Sequence, residues 1–226
     1  MLSIQITDEW REAFPGATVG LLEMSGVDNT KPCPGLEQRK REAEARLRAS
    51  FGGYSRKDFL SLPVIAAYDS YYARFRKTFH VLLQLESIVL KGKDLPRITP
   101  LVDANFLSEV ETLVLTAGHD VDLLVEPVRI DVSREGDAIT QMNSEARQMY
   151  AGDMVMRDAG AVSCSVIYGQ DNRSPISTRT TRALYVAYAP QGVPVDAVER
   201  HLAATEESVR LCCPGAFVEQ RRLVTA

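Results

Sequence analysis

The chain has 226 residues, 45% hydrophobic and 25% charged, with a formal net charge of −4. A chain of that length buries about 70% of its unfolded surface and needs neither disulfides nor a metal to hold a core. The acidic balance disfavours indiscriminate nucleic-acid binding, which rests on phosphate contacts, yet leaves room for a local basic patch. No run approaches the roughly 20 apolar residues that span a bilayer. The start, MLSIQITDEW, has neither the basic region nor the apolar run of a signal peptide. A cytoplasmic protein with no membrane partner is expected. Cys33, Cys164, Cys212 and Cys213 show no C-x-x-C spacing, which suits reduced thiols better than a zinc site.

In chain order, TDEWREAF predicts a short helix capped by Thr7 or Asp8 and stopped at Pro15-Gly16, followed by a strand over 17–24. The turn-rich DNTKPCPG leads into a charged helix over 36–51, read as a solvated face laced with i,i+4 pairs. Ser55 caps a second short helix, and 64–75 forms an aromatic-rich one. Thr78 is expected to cap a helix over 80–91, whose Val81, Leu82, Leu85, Ile88 and Val89 make an apolar stripe. A further helix is placed at 98–111. Short β-branched runs follow at 113–116, 128–132, 138–142, 154–157, 162–168 and 183–189. A helix over 195–211 closes the fold. Helices, then a meander of strands, then a helix give an α+β fold with helices packed on mostly antiparallel sheets in a layered sandwich. With no repeat or linker visible, residues 1–226 read as a single domain.

No phosphate-binding glycine loop, G-x-S-x-G or H-E-x-x-H is present. His201 sits among charged residues and reads as surface, whereas His80 faces either a pocket or the core. Two stretches carry candidate chemistry. In 91–122, Asp103 and Asn105 precede Ser108, and His119 lies beside Asp120, a pairing that suits acid–base work. The competing reading has Asp103 and Asn105 as buried hydrogen-bonding groups and Asp120 as a helix cap in a loop. In 168–182, Asp171 and Arg173 precede a hydroxyl cluster that includes Thr180, suited to holding phosphate or carboxylate. Thr180 and Thr181 are placed at the entry of a strand, pointing to opposite faces.

The helix HVLLQLESIVLKGK, the segment LPRITPLVDANFLSEVETL, AGHDVDLL with the strand VRIDV, and YGQDNRSPIST leading into RALYVAYAP together resemble a known family. It is the tRNA-binding and editing domain of the phenylalanyl-tRNA synthetase beta chain, and more closely the freestanding proteins built from that domain alone. The resemblance covers about residues 55–210 and leaves 1–54 as an N-terminal strand and helix extension. It implies a pocket enclosed by sheets and helices that hydrolyses the ester joining a wrong amino acid to its tRNA, without a cofactor or metal. Two positions depart from the family pattern: its histidine falls on Ala117, and its glutamate in the late strand falls near Val186. With no room for an adenylating module, aminoacylation is not expected.

The resemblance therefore implies a tRNA-binding protein that clears misacylated tRNA in trans, an aminoacyl-tRNA deacylase. His119, Asp120 and Thr180 are its candidate catalytic residues, and Thr78, His80, Asn105, Asp171 and Arg173 would bind substrate. Replacing His119 with alanine is expected to abolish deacylation and leave stability nearly unchanged. The alternative is a non-catalytic amino-acid- or RNA-binding protein that kept the scaffold. A metabolic enzyme acting on a small amino-acid-like substrate is a third reading. Expected partners are a tRNA 3′ end or a small amino-acid-like ligand, not DNA, and an apolar helix face could serve a homodimer.

Overall fold

The computed structural model describes residues 1–226. The chain opens with β1 (Ile4–Ile6), α1 (Asp8–Ala13) and β2 (Thr18–Ser25). Thr7 caps α1, its hydroxyl accepting the Trp10 N–H. Five helices follow: α2 (Pro34–Ser50), α3 (Arg56–Leu60), α4 (Pro63–Ala73), α5 (His80–Val89) and α6 (Pro100–Thr112). The second half supplies β3 (Thr116–Asp120), β4 (Val128–Val132), β5 (Ala138–Thr140), β6 (Ala146–Gln148), β7 (Met154–Arg157), β8 (Val162–Ser165), β9 (Gly169–Gln170) and β10 (Arg182–Ala189). Helix α7 (Val195–Cys212) and strand β11 (Phe217–Thr225) complete it.

These strands form a five-stranded sheet in the order β1-β4-β7-β8-β9, a four-stranded sheet in the order β11-β2-β10-β3, and the separate hairpin β5-β6. Every pairing is antiparallel except β1 with β4. The α+β layering expected from the sequence is therefore present. A hydrophobic core of 53 buried residues runs from Leu2 to Ala216. The N-terminal extension belongs to it, because β2 is an interior strand of the four-stranded sheet. Helix α7 crosses that strand at Gly20, where a Cβ would come within 2.8 Å of Val198. Only glycine admits so close a helix.

Helix α4 joins the two large sheets through its tyrosines. Tyr68 Oη donates to the Tyr188 carbonyl of β10 at 2.7 Å and accepts the Leu115 N–H at 3.0 Å. On the other side, Tyr71 Oη donates to Asp153 and Tyr72 Oη to the Val166 carbonyl, both at 2.6 Å. Phe79 stacks on Tyr68 with ring centroids 4.1 Å apart, which fixes the entry of α5. The charged helix α2 is less solvated than its composition suggests. Its Lys40 is 2% exposed and bonds Asp103 of α6 at 2.8 Å and the Pro96 carbonyl at 2.6 Å.

Several expectations are corrected. Thr78 does not cap α5: the N-cap is Phe79, with no side-chain bond. Leu113 takes a left-handed conformation (φ 64°) that ends α6, so the strand expected at 113–116 begins only at Thr116 and carries His119 and Asp120. Thr180 and Thr181 precede β10 in a turn rather than entering it. The chain does not close on α7, because the nine-residue β11 returns along β2. Its sequence, FVEQRRLVT, is rich in charged and polar residues and mostly exposed, so it lacks the apolar run that marked the other strands. No helix is long and apolar enough to cross a membrane.

Candidate functional site

A cavity of about 520 Å³ opens between the two large sheets, roofed by α5 and α6. That size and a mostly apolar lining with a few polar groups are what small-ligand sites share. Helix α6 turns Val102, Asn105, Phe106 and Glu109 toward it, the i, i+3, i+4, i+7 spacing of one helical face. Helix α5 adds His80 and Gln84, one turn apart, and β3 adds Thr116, Ala117 and Gly118. The lining has one carboxylate, Glu109, and no Lys or Arg.

Glu109 is 3% exposed. One carboxyl oxygen accepts the Thr116 N–H at 2.8 Å, and the other meets Gln84 Nε2 at 3.3 Å. No cation is paired with it, so burial dominates and pushes the carboxyl up to about 8. At neutral pH it is largely protonated. Asn105 donates to the Thr116 carbonyl at 3.4 Å, which fixes its amide nitrogen and leaves its buried Oδ1 without a partner. Gln84 Oε1 is likewise unpartnered. The unpartnered buried polar atoms at this cavity are thus two amide oxygens, Asn105 Oδ1 and Gln84 Oε1, and the Tyr188 hydroxyl.

His80 sits at the same wall, its Nδ1 3.3 Å from Tyr72 Oη. Tyr72 gives its single proton to the Val166 carbonyl, so toward His80 its oxygen can only accept. Nδ1 of His80 thus carries the hydrogen, and Nε2 is left as the free lone pair. Burial and the nearby Lys77 charge lower its pKa, which keeps the ring neutral. Behind β3, His201 is fully buried between the hydroxyls of Thr112 and Thr116, and burial pulls it down to about 3. The expected surface histidine is a core residue that holds Thr116, and through its backbone Glu109.

The sequence-derived candidates divide. His80 and Asn105 line the cavity, whereas Thr78, His119, Asp120, Asp171, Arg173 and Thr180 do not. His119 is fully buried, with Nδ1 2.9 Å from Ser174 Oγ and Nε2 unpartnered, and burial takes it down to about 3. Thr180 donates its hydroxyl to Asp120 at 2.7 Å, and Asp120 also accepts the Asp122 N–H. Asp171 accepts from the backbone of Thr140 and from the backbone and guanidinium of Arg173. Arg173 in turn pairs with Asp158 at 3.2 Å. The two candidate stretches do meet, through the bridge between His119 and Pro175, but outside the cavity, and apart from His119 Nε2 their polar groups are spent on neighbouring protein groups. No sequence motif marks Glu109 or Gln84. Their one signal is a carboxylate and an amide on the apolar faces of two helices.

Ala117 and Val186 are direct cross-strand partners on β3 and β10, and Ala117 lines the cavity. The two departures from the family pattern thus sit side by side. The cavity's imidazole and carboxylate lie on α5 and α6.

None of the curated proteins matches this chain. Among solved structures, an N-terminal fragment of the phenylalanyl-tRNA synthetase beta-subunit from Pyrococcus horikoshii is similar at 7% identity and a TM-score of 0.49. The alignment covers 100% of this chain and 55% of that one, so the chain spans about half of that fragment's length. The sequence pattern of the B3/4 domain matches residues 67–212, which holds α5, α6, β3 and every cavity residue named above. With more than half of its length matched, this chain belongs to the B3/4 domain family.

Proposed function

We propose that the cavity receives the amino-acid end of an aminoacyl-tRNA and hydrolyses its ester, acting in trans in the cytoplasm on misacylated tRNA. The observation that carries this reading is the character of the lining: unpartnered amide oxygens at Asn105 Oδ1 and Gln84 Oε1 beside the buried Glu109 carboxyl, with no Lys or Arg. A free amino acid brings an ammonium and a carboxylate, and the carboxylate would be buried without a cation, at a cost of several kcal/mol. An esterified amino acid brings the ammonium alone. Membership of the B3/4 family and the motif resemblance to the synthetase editing domain support the same choice.

On this reading Glu109 and Asn105 take the ammonium, and the amino-acid side chain lies along Val102, Phe106 and Val166. His80 Nε2 accepts a proton from the attacking water as its oxygen bonds to the acyl carbon. The bond from that carbon to the ribose oxygen then breaks, and the imidazolium passes its proton to that oxygen, which leaves as the ribose hydroxyl while the amino acid departs with its new carboxyl group. The reading is tested by incubating the purified protein with a panel of tRNAs, each mischarged with a labelled amino acid. Release from one or a few is expected, with His80→Ala reducing the rate about 100-fold or more. No release from any would leave a non-catalytic amino-acid- or RNA-binding protein, which the apolar pair Ala117 and Val186 favours.

A further inference from the structure

The turn between α4 and α5 reads Arg74-Phe75-Arg76-Lys77, with all three cations exposed. None of the three takes part in a salt bridge, although 21 such pairs are formed elsewhere on this acidic chain. Arg76 is held at φ 55°, a left-handed conformation that costs a non-glycine residue about 1 kcal/mol or more. The turn leads directly to His80 in the cavity wall.

Aromatic rings continue the same strip. Lys77 Nζ lies 5.6 Å from the Tyr168 ring centroid, and Arg74 lies 5.4 Å from that of Phe75. Tyr150, 59% exposed, stands 6.3 Å from Tyr168 and 6.5 Å from Phe75. Tyr168 adjoins Gly169 and Gln170, which line the cavity. Unpaired cations interleaved with an exposed ring suit the phosphates and base faces of an unpaired strand, since stacking needs an open π-face and the backbone needs charge. An acidic peptide would use the cations alone and leave Tyr150 idle.

We infer that Arg76, Lys77 and Tyr150 form a docking lip for unpaired nucleotides of an RNA whose end enters the cavity. This rests on the reading of the cavity as a site for an RNA-borne amino acid. The test measures binding of uncharged tRNA, and of a short single strand matching its 3′ end, to the full chain by fluorescence anisotropy across a salt series. For the R76Q/K77Q double variant, affinity should fall about tenfold and the salt slope should become shallower by about 1.4, or about 0.7 for each phosphate no longer neutralised. Arg76→Gly keeps the left-handed turn while removing charge, so it separates charge from backbone strain and should retain half of the change in slope. Tyr150→Ser should lower affinity several-fold and leave the salt slope intact, because stacking releases no counterions. Unchanged binding in these variants would overturn the lip. So would equal competition by polyglutamate, which would mark a surface for anions in general. RNA binding that depends on these residues without deacylation of any mischarged tRNA would keep the lip and sink the hydrolytic reading. Deacylation with unaffected variants would do the reverse.

Discussion

The two ends of β3 carry polar clusters of similar make-up and opposite state. At its far end, His119 bonds Ser174, Thr180 bonds Asp120 and the Asp120 N–H donates to the Ser174 carbonyl, leaving His119 Nε2 alone without a partner. Asp171, Arg173 and Asp158 form a closed set beside them. At its near end, Thr116 offers its backbone N–H to Glu109 and its carbonyl to Asn105, and beside them Asn105 Oδ1 and Gln84 Oε1 stand without a partner. A closed cluster holds a loop in place, while an open one costs stability until a ligand closes it. Residue type does not separate the two. The presence or absence of partners does.

The largest effect should come from breaking the closed cluster. His119→Ala removes a fully buried ring, its bond to Ser174 and its approach to Gln170 at 3.3 Å. A loss of about 2–3 kcal/mol is expected from the vacated volume and the unpaired hydroxyl. Chemical denaturation should show it as a lower midpoint with an unchanged slope. The expectation of nearly unchanged stability is thereby reversed by the burial of the ring. Deacylation per folded molecule should stay within a few-fold of wild type, because the imidazole does not reach the cavity. A stable, inactive variant would return His119 to the chemistry.

Much of the architecture is legible in the sequence, and the site much less so. Helices α1 to α7 declare themselves through caps, glycine stops and apolar stripes, and β10 through an unbroken run of Ala, Leu, Val and Tyr. What stays hidden depends on distant partners. β11 is charged and half exposed, and it becomes a strand because β2 offers it a free edge. Glu109 and Asn105 look like ordinary polar residues on α6, and only the absence of a neutralising neighbour makes them a site. His119 beside Asp120 looks catalytic by adjacency, yet adjacent strand residues point to opposite faces. His201 looks exposed among charges, yet one face of α7 lies fully against the sheet.

The open cluster predicts a pH dependence of the less common sign. Glu109 binds its proton up to about 8 in the folded chain, against an ordinary value of 4.5. The folded state therefore holds more protons than the unfolded one between those values, and stability falls as pH rises through that window. Below 4.5 both states are protonated, and above about 8 both are ionised, so the slope vanishes at either end. Glu109→Gln should flatten the profile and raise stability at pH 9 by at least about 1 kcal/mol, or about 2–4 °C in a chain of this size. A profile identical to wild type would mean that another group titrates there or that the carboxyl is paired.

The smallest effect sharpens the same point outside the site. Thr7 and Thr78 are both threonines just ahead of helices, and the sequence offers Thr7 (or Asp8) and Thr78 as caps. Thr7 Oγ1 accepts the Trp10 N–H at 3.1 Å and donates to Asp131 at 3.0 Å, whereas Thr78 makes no side-chain bond to α5. Thr78→Ala should therefore change stability by less than about 0.5 kcal/mol, against about 1 kcal/mol or more for Thr7→Ala. Equal losses in thermal denaturation would show that Thr78 has a partner in solution. In that case His80, two residues on, would owe part of its placement to that hydroxyl and not only to Tyr72.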